Sequence, residues 1–326
     1  MRLSISQLKA LLALAVEAAE QAGACIAGFD RRRLQVGHKS AGDSLSSQVV
    51  TQVDLDSQAR ILEVLQPTLA QYDLALLSEE NASESDAASH PRLHRPYFWC
   101  IDPLDGTLPF IEAASAPDKR NQSTSGSSGY AVAIALVDRA GWPWLGVVHD
   151  PATGETFQAL NPRASSDRVH RQVMRNGQPW LPAVRGVRAA GEPFRVYVDR
   201  SFLHDPRYPA CLAILEDVAA QAGRSLEVVD NRGAVMNAMG VITADAGCYL
   251  KLPKAGKGGG SVWDFSASAA IAQACGTVWV SDITGQPLDL NRPDSNFMNH
   301  RGVLYFNPSD PAVTADLIAR FTSLCG

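Results

Sequence analysis

The chain has 326 residues, enough to bury a large core as one large or two coupled domains. Hydrophobic residues at 46% against 19% charged are ordinary for a soluble globular protein. A net charge of −5 argues against a nucleic-acid polymer or an anionic membrane surface as partner, because both need a basic face.

Along the chain, Ser6 to Phe29 alternates apolar residues with Lys9, Glu17 and Glu20 and predicts an amphipathic helix, not a signal peptide or a membrane span. Val49 to Asp54 is a strand-like run that ends on an acid, and Leu55 to Tyr72 predicts a second helix. Strands are expected at Leu74 to Leu77, Tyr97 to Ile101, Ala131 to Val137 and Trp144 to His149, with a hairpin turn at Pro151 to Glu155. Ser83 to Pro96 and Ser115 to Gly129 read as polar surface loops. Prolines and glycines between Pro182 and Pro193 mark a boundary, giving halves at 1–185 and 186–326. The second half continues with strands at Arg195 to Val198 and Val278 to Val280, and helices at Tyr208 to Ala222 and Asp264 to Cys275. Long helices mixed with strands predict a layered α/β or α+β protein. The six cysteines are far apart and none is paired as C-x-x-C, so they read as buried free thiols in a reducing cytoplasm.

The most informative segment is Trp99-Cys100-Ile101-Asp102-Pro103-Leu104-Asp105-Gly106-Thr107. An apolar strand delivers Asp102 to its carboxyl end, Pro103 stiffens the exit, and Asp105 follows three residues on. Two carboxylates at that interval, with the Leu104 carbonyl between them, can converge on a hard cation. Gly106 allows close backbone approach, and Pro109 is tolerated in the first turn of a following helix. The amides of Gly106, Thr107 and Leu108 would then face an anion. Turn-formers explain the Pro, Asp and Gly here, but not the apolar strand that feeds them. Three weaker pieces match in character: Glu79-Glu80 after an apolar strand, Asp264 in the first turn of a helix that Gly276 can close, and Asp54. Taken singly, these would be read as a solvated loop and two helix caps.

In this order the pieces resemble the inositol-monophosphatase superfamily. Asp102 to Thr107 is similar to its D-P-[LIV]-D-G-T signature, Ser78-Glu79-Glu80 to its strand-end glutamate motif, Trp263-Asp264 to its late W-D motif, and Thr51 to Asp54 to its T-x-x-D element. Softer likenesses are Gly146-Val147-Val148 before Asp150-Pro151, Arg175 to Gln178, and Asp282 to Leu288; together they run from about Lys39 to the C-terminus. The resemblance implies an αβαβα sandwich of the inositol-monophosphatase/fructose-bisphosphatase type, with most metal ligands in the first half and Asp264 and the substrate wall in the second. It implies a phosphomonoesterase with two or three Mg2+ ions held by Glu79, Asp102, the Leu104 carbonyl, Asp105 and Asp264. Asp54 and Thr107, with Glu79, would orient and deprotonate an attacking water, without a phosphoenzyme.

Members of that family hydrolyse inositol phosphates, fructose bisphosphate or 3'(2'),5'-bisphosphorylated adenosine. Pro287 to Leu290 with Asn296 to Asn299 resembles the bisphosphate-nucleotidase branch. Lys251 and Lys254, with Lys257 behind them, stand where inositol phosphatases carry a sugar-binding glutamate, and such cations suit a second phosphate. Leu108-Pro109 departs from the Lys-Glu often found after D-G-T in that branch. The alternatives are an inositol or sugar-phosphate phosphatase and a catalytically silent metal- or phosphate-binding member. The expected partner is a small phosphate ester in the cytoplasm, without polymeric nucleic acid or membrane, and with homodimerisation left open.

Overall fold

The computed structural model of the chain describes residues 2–30, 36–38, 49–115, 128–163, 165–181, 192–307 and 310–325. Helix α1 (Ile5–Gly28) opens with a capping box: Ser4 Oγ accepts from the Gln7 amide and the Gln7 side chain from the Ser4 amide. Leu8, Leu11, Leu12, Ala15, Ala18, Ala19, Ala22 and Ile26 recur at helical spacing and are all buried. By length and composition alone α1 is apolar enough to cross a membrane, a test that buried core helices also pass. Here its apolar side packs on α2 (Gln52–Tyr72) and on strands β5 (Ala131–Asp138), β6 (Pro143–Asp150) and β7 (Glu155–Leu160). The run before α2 is shorter than expected. A two-stranded ribbon of β1 (Val36–His38) and β2 (Val49–Thr51) stops at Thr51, and Asp54 lies in the first turn of α2.

Among the described residues the larger sheet has seven strands in the order β3-β4-β5-β6-β7-β8-β9, adding β3 (Leu74–Ser78), β4 (Tyr97–Asp105), β8 (Gln172–Arg175) and β9 (Gln178–Pro179). Period-two alternation divides it cleanly. Tyr97, Trp99, Ile101, Val132, Ile134 and Leu136 face α1 and α2, whereas Phe98, Cys100, Ala133 and Ala135 face the other way. Against that second face lie α5 (Ala234–Thr243) and α6 (Val262–Cys275). The hairpin turn at Pro151 to Gly154 forms as expected, with Gly154 at φ +72°.

The smaller sheet runs β11-β10-β12-β14-β13: β10 (Phe194–Tyr197), β11 (Leu226–Val229), β12 (Gly247–Lys251), β13 (Trp279–Ser281) and β14 (Val303–Asn307). Tyr197, Tyr249 and Tyr305 pack toward α5 and α6, while Val196, Cys248, Leu304 and Phe306 pack with α4 (Tyr208–Gln221) and α7 (Pro311–Cys325). The layers are therefore α, β, α, β and α, as the resemblance implied. The boundary expected between Pro182 and Pro193 falls largely on 182–191, outside the described residues, as does most of the Ser115 to Gly129 loop.

Ser83 to Pro96 is not a simple surface loop. It holds two short 3-10 turns, and Arg92 within it is fully buried. Arg92 donates to Asn291 Oδ1 (2.6 Å), Asn296 Oδ1 (3.1 Å) and the Arg292 carbonyl (2.9 Å). A buried guanidinium is tolerable because these acceptors replace water, and they tie the segment after Glu79 to the C-terminal half.

Alpha helix α6 sits unusually close to the larger sheet. A Cβ on Gly146 would lie 2.4 Å from the Ala267 carbonyl oxygen and 2.9 Å from the Ala267 Cα. Both are backbone atoms that cannot rotate away. Gly146→Val is expected to cost about 3 kcal/mol or more, the upper range for overpacking. A urea midpoint unchanged from that of the parent protein would contradict this contact.

Candidate active site

The acids singled out in the sequence stand at or near the ends of elements, except Asp102, which lies three residues inside the end of β4. Glu79 directly follows β3 as the first residue of the 3-10 turn Glu79–Asn81. The ladder between β4 and β5 is regular to Asp102 opposite Ala133, then slips before Asp105 opposite Ala131. The slip falls at Pro103, which has no amide to donate. The strand thus continues three residues beyond Asp102, where it was expected to end. Two bonds fix the slipped segment: the Leu104 amide donates to Asp102 Oδ1 (3.1 Å) and Ser57 Oγ to the Pro103 carbonyl (2.7 Å). Gly106 then turns at φ +82°, where a Cβ would lie 2.6 Å from the Gly129 carbonyl oxygen. Helix α3 (Thr107–Ser115) starts immediately, with no acid in its first turn, leaving the Thr107 and Leu108 amides at a helix N-terminus.

Thr107 Oγ1 lies 3.0 Å from Asp54 Oδ1 and 3.3 Å from the Leu104 carbonyl oxygen, so its single proton has two acceptors. Asp54 is buried, and so is Thr107. Asp105 serves α5 as a cap supplied from another element. Gly233 precedes α5 without a side chain, and both Asp105 oxygens accept from the first amides of the helix, Ala234 (3.0 Å) and Val235 (2.9 Å). Asp264 lies in the first turn of α6 and accepts from the Ser261 amide (3.0 Å), and Gly276 closes that helix in the left-handed conformation.

These placements gather Asp102, Asp105 and Asp264 so that one carboxylate oxygen of each lies within 4.8 Å of the others. Asp102 also shares a hydrogen bond with Glu79. Burial, then the charges of Glu79, Asp105 and Asp264, pushes the Asp102 carboxyl far above the usual range. Burial and Asp264 do the same to Asp105. Asp264 is pushed up to about 7, chiefly by burial, with Lys251 pulling down and Glu79 pushing up. At 4 Å and an effective dielectric of 20, each like-charge pair costs about 4 kcal/mol. Anionic oxygens held together against that cost are the donor set of a hard divalent cation. The residues present fit such an ion.

Lys251 ends β12 with its side chain 11% exposed and ion-paired to Asp199. Lys254, expected on the same strand, lies beyond it on an exposed loop with Lys257; its amide donates to the Asn299 carbonyl (2.9 Å). Asp54, Glu79, Asp102, Leu104, Asp105, Gly106, Thr107, Asp264 and Lys251 therefore come together, and Lys254 stands apart. The sequence reading missed Asp199, Ser57 and the start of α5. Only the α5 contact left a trace, as a glycine before an apolar run.

A family model described as the inositol monophosphatase family matches residues 7–304, nearly the whole chain. The chain belongs to the inositol monophosphatase family. Among curated relatives, 3'(2'),5'-bisphosphate nucleotidase CysQ of Shigella flexneri is 30% identical over 77% of this chain and 82% of its own length. The CysQ of Salmonella typhimurium is 31% identical over the same shares. An inositol-1-monophosphatase of Synechocystis is 32% identical over 48% of this chain and 45% of its own. Among solved structures, the extragenic suppressor protein suhB of Bartonella henselae shares the fold with a TM-score of 0.63, covering 97% of this chain and 98% of that one at 19% identity. Membership makes this chain a metal-dependent phosphoric monoester hydrolase acting on small phosphate esters.

Proposed function

We propose that the protein is a Mg2+-dependent 3'(2'),5'-bisphosphate nucleotidase that converts 3'-phosphoadenosine 5'-phosphate to AMP and phosphate. The observation that carries the phosphatase chemistry is the convergence of Asp102, Asp105 and Asp264 beside the Asp54–Thr107 pair. The nucleotidase assignment is supported by the breadth of the likeness to CysQ, against the half-chain likeness to the inositol-1-monophosphatase.

Glu79, Asp102, the Leu104 carbonyl, Asp105 and Asp264 would hold the metal, which supplies Lewis acidity and charge neutralisation to the phosphate. The scissile phosphate rests against the Gly106, Thr107 and Leu108 amides, where a helix N-terminus favours an anion. With its O–H donating a hydrogen bond to Asp54, the Thr107 hydroxyl has lone pairs left to accept from an attacking water. That orients the water: as its oxygen bonds to phosphorus, its proton passes to Thr107 Oγ1 while the Thr107 proton passes to Asp54, with Glu79 nearby. The ester P–O bond breaks, the departing 3'-alkoxide taking a proton from water. Burial of Asp54 and Thr107 keeps bulk solvent from competing for these bonds. The distal phosphate is assigned to the exposed Lys254 and Lys257 on the loop before α6, since Lys251 is already held by Asp199. All six thiols are free, in keeping with a reducing cytoplasm.

The test is a panel of phosphomonoesters assayed with Mg2+. The bisphosphate should be preferred over inositol 1-phosphate. Lys254→Ala should raise its KM about tenfold while sparing inositol 1-phosphate, since a charged hydrogen bond contributes about 1.5–3 kcal/mol. Preference for inositol 1-phosphate would turn the assignment to the inositol branch and leave the metal chemistry standing.

A further inference from the structure

A positive charge is built into this ring of acids. Strands β10 and β12 are parallel with Tyr197 beside Tyr249, so two residues further on Asp199 and Lys251 meet on one side of the sheet. Their side chains form an ion pair, and the Tyr249 hydroxyl donates to the other Asp199 oxygen at 3.0 Å. The Lys251 ammonium also lies 5.7 Å from the centre of the Phe265 ring, whose chain neighbour is Asp264. Gly260, at φ +77°, closes over the same place: a Cβ there would lie 2.5 Å from the Phe265 ring and 2.9 Å from Asp264 Oδ2. Asp199, the aromatic ring and the β12 backbone thus hold Lys251 within the field of Asp264 and Asp105. No role as metal ligand is open to an ammonium, yet it occupies the electrostatic place of a cation.

We propose that Lys251 is a resident monovalent cation of the acidic cluster, and that Asp199, steered by Tyr249, is a positioning residue that sets how strongly its charge opposes divalent-ion binding at Asp105 and Asp264. This rests on the metal reading above. The two residues act in opposite senses. Neutralising Lys251 removes a repulsion and leaves the Asp199 carboxylate to attract the incoming ion. Neutralising Asp199 leaves the full ammonium charge facing it. Residues that merely support the fold would, when lost, weaken binding together.

The experiment measures Mn2+ binding by paramagnetic resonance of the free ion, and Mg2+ binding by calorimetry, on the purified full chain without substrate. Lys251→Met keeps the aliphatic stem on Phe265 and should tighten binding at one site about tenfold, the scale of one charge acting across several ångströms of protein. Asp199→Asn should weaken it by a similar factor, and the double variant should return close to the parent. Lys251→Gln provides a second neutral variant, and far-ultraviolet circular dichroism checks that each folds. Opposite shifts that cancel in the double variant support the proposal. Shifts of the same sign, or none, overturn it while leaving the metal reading intact, whereas a parent protein that binds neither ion removes both.

Discussion

Asp102→Asn is expected to lower kcat at least about a thousandfold in Mg2+, while raising the unfolding temperature of the chelated protein. Asp102 is the acid on which the others converge: it shares a hydrogen bond with Glu79 and feels the charges of Glu79, Asp105 and Asp264. Loss of its charge removes an anionic ligand from the centre of the cluster, where the metal's contribution to the transition state is worth several kcal/mol. The amide keeps the carboxyl shape and can still accept from the Leu104 amide, so the slipped end of β4 is retained. Without metal the same change removes an acid that burial holds far above its usual pKa, and with it the cost of protonating or desolvating that carboxyl when the chain folds at neutral pH. Steady-state kinetics and calorimetric unfolding in chelator check both halves. Substantial residual turnover would remove Asp102 from the metal site.

The site was legible in the sequence wherever a residue's function coincides with an element boundary. Asp102 and Asp105 close an apolar strand with Thr107 just beyond it, Glu79 follows another strand, and Asp264 opens a helix. Local pattern marked them, and the order of the motifs, matched to the family resemblance, joined them into one site. Asp199 left no such mark, because it matters only through the parallel register that sets Tyr197 beside Tyr249. Helix α5 escaped for a different reason: Ala234 through Ile242 are all buried, so no polar face gives it a helical period. Arg92 sat in a polar, proline-bounded stretch that reads as surface, and only the distant acceptors on Asn291 and Asn296 make its burial tolerable. Strands were legible in the larger sheet where β4, β5 and β6 are long and almost wholly buried, whereas in the smaller one β10 was expected but β11, β12 and β14, of four or five residues each, were not.

The gain in thermal stability on adding Mg2+ should increase as pH rises from about 5.5 to 8. In the metal-free fold Asp264 is pushed up to about 7 from 3.8, chiefly by burial, and burial raises Asp102 and Asp105 as well. Between the unfolded and folded values the native state binds more protons than the unfolded chain. Asp264 therefore contributes stability that is complete below about pH 4 and is lost as pH rises through about 7, and Asp102 and Asp105, raised by burial in the same direction, add to the same trend. His90, His149 and His300 act the other way, since burial lowers each of them, but they contribute equally with and without metal unless they touch the ion. Ion-paired acids such as Asp205 and Asp294, lowered by their arginine partners, matter only below the window. Comparing unfolding temperatures in Mg2+ and in chelator at each pH isolates the acidic cluster. At acid pH the ion must displace protons from Asp102, Asp105 and Asp264; at pH 8 it meets fewer of them. With Mg2+ at about a hundredfold above its dissociation constant the gain approaches about 2.7 kcal/mol, or roughly 4 °C for a chain of 326 residues. Asp264→Asn should reduce both the gain and its slope with pH. A Mg2+ effect independent of pH would mean that the ion binds away from these carboxylates.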